Sequence, residues 1–143
     1  MTRNTDPADA VFSGTRLLLE AHGLSSLTEI TLPSGLRADI MAWDRKGVIH
    51  IVEVKSGVED FRTDHKWPGY RDHCDHFHFA VAPHFPLELL PDDAGLIVAD
   101  MHGGEFLRQA PGHALAAARR KKLLIQLAHK AAERLRALEN LTL

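Results

Sequence analysis

The sequence predicts one α/β domain, spanning residues 1–143, that ends in a long helix. Two patterns predict this class: apolar residues recur at helical spacing near both ends of the chain, and short stretches between them alternate with a period of two. The composition, 45% hydrophobic and 25% charged, suits a compact domain of 143 residues. The chain shows no internal repeat and no low-complexity linker that would divide it.

A helix and a short strand are the first predicted elements. Asp6 before Pro7 is typical of an N-cap followed by proline at the first helical position, and the helical spacing ends at Gly23. The stretch "LTEITL" alternates and predicts a strand that ends near Leu32. The residues "PSG" that follow predict a turn.

The stretch "RADIMAWDRKGVIHIVEVK" predicts two apolar strands joined by a tight turn. Asp44 favours the start of a type I turn, and Gly47 suits the left-handed position of a three-residue hairpin loop. A loop made of Arg45, Lys46 and Gly47 pairs Asp44 with Val48 and thereby sets the register of both strands.

In this register each strand carries a carboxylate where a core residue is expected. Asp39 lies opposite Glu53, and Lys55 projects from the same side of the sheet as Glu53. Two carboxylates with Cβ atoms about 5 Å apart repel each other unless a cation lies between them. Carboxylate oxygens suit Mg²⁺ or Mn²⁺, and a nearby lysine can orient or deprotonate water or stabilise phosphate charge. The pattern therefore favours phosphodiester cleavage; a plain salt bridge from Lys55 to one of the acids is the alternative.

The rest of the chain predicts two more strands, a short helix and the C-terminal helix. The stretch "HFHFAVAP" alternates, and "AGLIVADM" is typical of a buried strand. Pro68 predicts a short helix at residues 69–73, and apolar residues at helical spacing predict a long helix from Ala114 onward. Asp60 and Asp64 follow the second hairpin strand closely enough to rim a site at its end.

Asp39, followed by a hairpin and by Glu53, Val54 and Lys55 at the end of an apolar strand, resembles the signature of the PD-(D/E)XK nucleases. Ala38 stands where that signature has proline. The stretches "RADIMAWD", "VEVKSGVEDFRTDHKWPGY" and "CDHFHFAVAP" further resemble the MmcB family of DNA-repair endonucleases. The resemblance implies a restriction-endonuclease-like core, in which helices flank a central mixed β-sheet.

The resemblance also implies a function, metal-dependent hydrolysis of DNA phosphodiester bonds by an endonuclease of DNA repair. Asp39, Glu53 and the Val54 carbonyl would bind Mg²⁺ or Mn²⁺, and Lys55 would assist the attack of water. The alternative is a non-catalytic DNA-binding or adaptor domain on the same scaffold, because one fold can host several functions and inactive members.

Further site residues follow from the same resemblance. Many members of that superfamily complete the metal site with a glutamate on the first helix, and Glu20 is the candidate here; an exposed Arg16–Glu20 pair is the alternative. A polar residue after the lysine strand often reaches the phosphate, which points to Lys66 or Tyr70. Trp67 is a candidate to stack on a base. The alternative is that Trp67 and Tyr70 belong to the core and that Lys66 is solvated.

Basic residues are concentrated in the C-terminal helix. Residues 114–143 hold seven of the 17 Lys and Arg residues, although the formal net charge of the chain is −2. A basic helix face on an otherwise acidic body suits contact with a phosphate backbone, and a solvated face is the alternative. The candidate DNA contacts are Arg119, Arg120, Lys121 and Lys122.

The stretch "HCDHFHF" brings several possible zinc ligands close together in the sequence. The rest of the chain does not supply the second pair of ligands that a zinc site needs. A structural zinc site normally draws paired ligands from two separated places, and the single cysteine offers no second pair. We expect these side chains on the surface or on a sheet face. They are His73, Cys74, His76 and His78.

The chain is expected to be cytoplasmic and to have no membrane association. Its one cysteine cannot form an internal disulfide, its N-terminus lacks a signal-peptide pattern, and no stretch approaches the roughly 18 apolar residues of a membrane span. DNA is the expected partner. A repair protein that delivers the DNA is a further expectation, because a small domain leaves little room for substrate recognition, and homodimerisation stays open.

Overall fold

The computed structural model describes residues 6–142 and confirms an α/β fold with a long C-terminal helix. The helices and strands are α1 (Pro7–Ala21), β1 (Ser25–Thr31), β2 (Arg37–Trp43), β3 (Ile49–Lys55), α2 (Val58–Thr63), β4 (His76–Val81), β5 (Gly95–Asp100), β6 (Gly103–Arg108) and α3 (Ala117–Leu141). Two 3₁₀ helices, Trp67–His73 and Leu87–Leu89, lie before and after β4. No helix within the described residues is both long and apolar enough to span a bilayer.

The strands form one six-stranded mixed sheet in the order β1-β2-β3-β4-β5-β6. Antiparallel pairs join β1 to β2, β2 to β3 and β5 to β6, whereas β4 runs parallel to both β3 and β5. A parallel pair needs a crossover connection between its strands. The crossover from β3 to β4 contains α2 and the 3₁₀ helix Trp67–His73, so both follow directly on the C-terminal end of β3.

The N-terminal helix and the hairpin loop have the cap and the turn that the sequence predicts. Asp6 caps α1 by accepting a hydrogen bond from the Ala8 N–H at 3.1 Å. In the loop, Gly47 has a φ of 84° and donates its N–H to the Asp44 carbonyl at 3.1 Å. The Asp44 carboxylate also accepts from the Val48 N–H at 3.0 Å. The predicted cap and the predicted three-residue loop are therefore confirmed.

An apolar core covers each face of the sheet, as the alternation within the hairpin predicts. On the face that we call the α1 face, α1 packs mainly against β5 and β6, and even-numbered positions of β2 and β3 belong to the same core. Buried residues of the α1 face are Val11, Leu18, Leu19, Ile40, Val52, Val54 and Ile97. On the opposite face, which we call the α3 face, the 3₁₀ helix Trp67–His73 and α3 pack against odd-numbered positions. Buried residues of the α3 face are Met41, Ile49, Ile51, Tyr70, Phe77, Phe79, Leu123 and Leu127.

The first helix approaches the turn between β5 and β6 closely because position 14 is glycine. A Cβ atom on Gly14 would lie 1.8 Å from the Asp100 carbonyl oxygen and 2.5 Å from that of Gly103. Backbone atoms cannot move aside as a flexible side chain can, so a larger residue does not fit. This contact fixes α1 against β5 and β6.

Some elements differ from the sequence prediction. The sequence does not predict α2, which is short and buries none of its residues, or β6, which begins with two glycines that are typical of a turn. The short helix near Pro68 is a 3₁₀ helix that begins at Trp67. The C-terminal helix begins at Ala117 and not at Ala114, because its N-cap Ala116 has an extended ψ of 138°.

Candidate active site at the β2–β3 hairpin

The register of β2 and β3 places Asp39 opposite Glu53, as predicted. The paired positions end at Ile40 and Val52, one residue before the two acids. Beyond them the carboxylates act as acceptors: the Asp39 N–H donates to Glu53 Oε1 and the Val54 N–H donates to Asp39 Oδ2, both at 2.9 Å. The opposite strand therefore orients each carboxylate through one oxygen.

The environment of this pair disfavours two negative charges. Glu53 is 5% exposed, and burial, together with the charge of Asp39, raises its pKa well above its usual range. Burial also raises the pKa of Asp39, although the hydrogen bond from Val54 opposes the shift. A cation beside the pair would favour the ionised form of both groups. The two carboxylates thus bring hard oxygen atoms from neighbouring strands together, and such atoms are the ones that Mg²⁺ prefers.

Lys55 lies beside the carboxylate pair but forms its ion pair elsewhere. It is 5% exposed, and its Nζ donates to Asp64 Oδ2 at 2.6 Å and lies 3.9 Å from Asp60 Oδ1. Burial alone would raise the pKa of Asp64, yet the Lys55 hydrogen bond and two backbone N–H groups hold it below its usual range. The alternative of a salt bridge to Asp39 or Glu53 is wrong. Asp60 and Asp64 lie next to Lys55, and their predicted role at the rim of a site stays a prediction.

The aromatic candidates after β3 belong to the core. The Tyr70 hydroxyl donates to the Arg37 carbonyl at 2.8 Å. Burial is the main cause that raises the pKa of Tyr70, and the negative charges of Glu53 and Asp39 raise it further. Trp67 stacks on Phe77 at 5.7 Å between ring centroids. Tyr70 therefore forms a buried wall of the site, whereas Trp67 is a packing residue and not a free surface for a base.

Lys66 is exposed next to the ion pair of Lys55. Its side chain faces solvent, and its backbone N–H donates to Asp64 Oδ1 at 2.8 Å. The same carboxylate oxygen accepts from the Trp67 N–H at 3.1 Å. Asp64 thus joins a buried lysine to the first turn of the following 3₁₀ helix. The ammonium group of Lys66 forms no ion pair with any of residues 6–142.

The structure does not bring Glu20 to the site. The helix α1 lies on the α1 face, whereas Asp39 and Glu53 project from the α3 face, so Glu20 is exposed on the wrong side of the sheet. Its alternative partner Arg16 instead donates to Ser26, at 3.0 Å from Oγ and 3.1 Å from the carbonyl. Within residues 6–142, His, Cys, Asp and Glu side chains do not gather in threes around a point that could hold a metal ion.

The basic run of α3 has two environments. Arg120 faces inward and donates to Asp75 Oδ1 at 2.8 Å and to the Gly47 carbonyl at 3.0 Å. This arginine joins α3 to the sheet, which corrects the prediction that it contacts DNA. The other members of the run are exposed: Arg119, Lys121 and Lys122.

The residues of the stretch "HCDHFHF" are divided between the two faces of the sheet. Cys74 is buried on the α3 face and donates its thiol to the Tyr70 carbonyl at 3.4 Å. His76 and His78 lie on the α1 face. The ring of His50, a residue that the sequence did not single out, stacks on both, with centroids 4.8 Å from that of His76 and 5.3 Å from that of His78. His50 Nδ1 lies 3.0 Å from His78 Nε2. The signal for His50 was its alternation with the buried valines of β3.

Acidification is expected to destabilise the protein through this histidine stack. Burial lowers the pKa of His50 from 6.5 to about 4 and that of His78 from 6.5 to about 3. The contribution of the stack to stability should be complete above about pH 6.5 and should fall as the pH drops towards the folded-state values, by about 1.4 kcal/mol per pH unit for each proton that only the unfolded chain binds. Urea unfolding across this range measures the slope. A His50→Gln variant should show a shallower slope, and an unchanged slope would contradict the assignment.

Comparison with known proteins identifies relatives of the whole chain. A family model described as "DNA repair protein MmcB-like" matches residues 1–142. Among solved structures, the SPO1766 protein of unknown function from Silicibacter pomeroyi is 42% identical, with a TM-score of 0.90, and the match covers 95% of this chain and 93% of that chain. No curated protein sequence gives a significant match. These matches confirm the predicted resemblance to the MmcB family.

Proposed function

Because the chain belongs to the MmcB-like family of DNA repair proteins, we propose that it is a metal-dependent nuclease that hydrolyses DNA phosphodiester bonds. The observation that carries the proposal is the pair formed by Asp39 and the buried Glu53, with the buried Lys55 beside it, at the end of the β2–β3 hairpin. The order of α1, three strands, α2 and β4 is similar to that of the restriction-endonuclease-like core, which supports assignment to the PD-(D/E)XK superfamily.

The donor set fits a hard divalent cation. Asp39 and Glu53 each have one oxygen that is not engaged by a backbone N–H of the opposite strand, and both groups ionise more readily beside a positive charge. Mg²⁺ commonly takes only one or two protein carboxylates and keeps several water ligands. With the Val54 carbonyl that the family implies, these residues would hold Mg²⁺ or Mn²⁺. The bound ion would supply Lewis acidity and a water of lowered pKa.

The chain's own residues would then position the reaction. Lys55 has three N–H donors, and its bond to Asp64 holds the ammonium group at the side of the carboxylate pair. The remaining donors are suited to the attacking water or to a phosphate oxygen, where a positive charge is stabilising in a poorly solvated site. Lys66 at the rim would contact the next phosphate of the strand.

Calorimetric titration of Mn²⁺ into the wild-type and Asp39→Asn proteins tests the proposal. We expect the wild type to bind the ion and the variant to bind at least about tenfold more weakly, because the ligand charge is lost. Cleavage of plasmid and single-stranded DNA by the same samples should be lost in the variant. Asparagine can still accept the Val54 N–H, so the hairpin should persist.

Glu20→Gln is the matched control, since Glu20 is an acid on the opposite face of the sheet. It should bind Mn²⁺ and cleave DNA as the wild type does. An Asp39→Asn protein that cuts DNA at the wild-type rate would refute the proposed site.

A non-catalytic DNA-binding or adaptor domain is the second candidate function. The exposed basic side chains at the start of α3 favour it, because they suit a phosphate backbone irrespective of catalysis. A domain of this kind should bind DNA with an affinity that falls as the salt concentration rises and that Asp39→Asn does not change. A repair protein that delivers DNA, and a homodimer that cuts two strands, belong to the nuclease proposal and are tested by co-purification and by light scattering.

A further inference from the structure

The C-terminal helix α3 covers the sheet only with its first half. Its buried residues are Leu123 and Leu127, whereas every residue from 135 to 141 is exposed. Three leucines lie in this exposed segment: Leu135, Leu138 and Leu141, with exposed fractions of 59%, 61% and 83%. Leucine side chains are normally withdrawn from water, so several of them together at an exposed helix end indicate a contact outside the chain.

Two of these leucines belong to a mainly apolar stripe along α3, which we call the outer stripe. Its members are separated alternately by four and three residues: Ala117, Lys121, Leu124, Ala128, Ala131, Leu135 and Leu138. This heptad spacing is typical of a helix that pairs with another helix. At 100° per residue, the outer stripe lies about 90° around the helix axis from Leu123 and Leu127. It is therefore a second seam and not a continuation of the buried one.

A shallow groove of about 410 Å³ lies on the outer stripe in the first half of the helix. The surface of the groove is almost entirely apolar, and its lining consists of Ala117, Arg120, Lys121, Leu124, Ile125 and Ala128. One stripe thus carries an apolar groove in its first half and exposed leucines in its second half. Two copies of such a helix complement each other when they run antiparallel, because each presents its leucines to the groove of the other. This is the self-complementary interface of a two-fold dimer.

The charges of α3 select the antiparallel orientation. In a parallel pair in register, Lys121 on the outer stripe would face the same ammonium group of the second copy, which is repulsive. Residues 117–129 hold four Lys and Arg residues and no acid, whereas both acids of the helix, Glu133 and Glu139, lie in its second half. An antiparallel pair brings Glu139 to Lys121 of the second copy and to the positive N-terminal end of that helix. Charge complementarity therefore points to a second copy of this chain as the partner.

We propose that two copies of this chain associate through the outer stripe as an antiparallel, two-fold pair of α3 helices. Leu135 of each copy packs against Leu124 in the groove of the other copy. In the same register Leu138 packs along the aliphatic stem of Lys121. The dimer depends neither on metal binding nor on cleavage at Asp39, so it holds whether or not the chain is a nuclease.

Sedimentation velocity at protein concentrations from about 1 to 200 µM tests the dimer. The wild type should change from monomer to dimer within this range, because one helix pair is a small interface. Leu135→Glu puts a carboxylate on an apolar contact in each copy and should weaken association at least about tenfold. Its melting temperature at the lowest concentration should equal that of the wild type, since Leu135 is exposed in the monomer and both residues favour helix. Leu17→Glu is the matched control: Leu17 is a 48% exposed leucine of α1, on the other face of the sheet, and its replacement should leave association unchanged.

Disulfide trapping under mild oxidation tests the orientation of the two helices. A mixture of Lys121→Cys and Leu138→Cys should give a linked heterodimer, because these positions face each other in the antiparallel pair. Lys121→Cys alone should stay unlinked, since its two copies lie about 25 Å apart along the helix axes, too far for a disulfide. The native Cys74 is buried and should not compete. A linked homodimer of Lys121→Cys, a wild type that stays monomeric at every concentration, or equal weakening by Leu135→Glu and Leu17→Glu would each overturn the proposal.

Discussion

Lys55→Gln is expected to reduce DNA cleavage by about 100-fold while divalent-metal binding is retained. The reason is that Lys55 is a buried ammonium group beside Asp39 and Glu53 and is not itself a metal ligand. Glutamine keeps most of the length of the side chain and can still donate to Asp64. Cleavage measured at saturating Mn²⁺, with calorimetry on the same samples, separates the catalytic loss from a loss of metal.

Asp64→Asn is the matched variant for this prediction. It breaks the same ion pair, measured at 2.6 Å, but keeps the ammonium group of Lys55. If the lysine acts on water or phosphate, Asp64→Asn should lose much less activity than Lys55→Gln. Equal losses would show that the ion pair matters only for structure, and full activity of Lys55→Gln would remove Lys55 from the mechanism.

The carboxylate pair could be predicted because it depends on local rules. A three-residue loop ending at Gly47 fixes the register of the hairpin, and strand alternation then fixes which side chains share a face. No other part of the fold is needed to place Asp39 opposite Glu53. The same alternation places Met41 and Ile51 in one core.

Contacts that depend on packing between distant elements could not be predicted in this way. The resemblance points to Glu20, but helical spacing shows only which side of α1 is buried and not which face of the sheet the helix covers. The partner of Lys55 depends on how the chain turns after β3, and α2 has no periodic signal. For Arg120 a signal did exist, because it lies three and seven residues before the buried Leu123 and Leu127 on one helix face.

Loss of the contact between Asp75 and Arg120 is expected to give the largest loss of stability of any change discussed. Asp75 is mostly buried and accepts from the Ile49 N–H at 2.8 Å as well as from Arg120. Its backbone carbonyl accepts from the His113 N–H at 2.7 Å. One residue therefore joins β3, β4, α3 and the segment before α3. Burial would raise the pKa of Asp75, but the Arg120 hydrogen bond holds it below its usual range.

Arg120→Met is expected to lower the free energy of unfolding by about 2 to 3 kcal/mol, because a charged hydrogen-bond acceptor is left without its strongest partner. The value lies below that of a fully buried pair, since the Arg120 side chain is 28% exposed. Urea unfolding at neutral pH measures it. Lys121→Gln, an exposed neighbour on the same helix, should change stability by less than about 0.5 kcal/mol.

A double-mutant cycle with Asp75→Asn decides whether the two side chains act as a pair. Asparagine keeps an acceptor for the Ile49 N–H, so the cycle isolates the ionic contact with Arg120. A coupling energy of about 1 kcal/mol or more is expected for residues in direct, partly buried contact. A coupling near zero would mean that Arg120 stabilises α3 through its stem and through its bond to the Gly47 carbonyl, and that Asp75 acts only within the sheet.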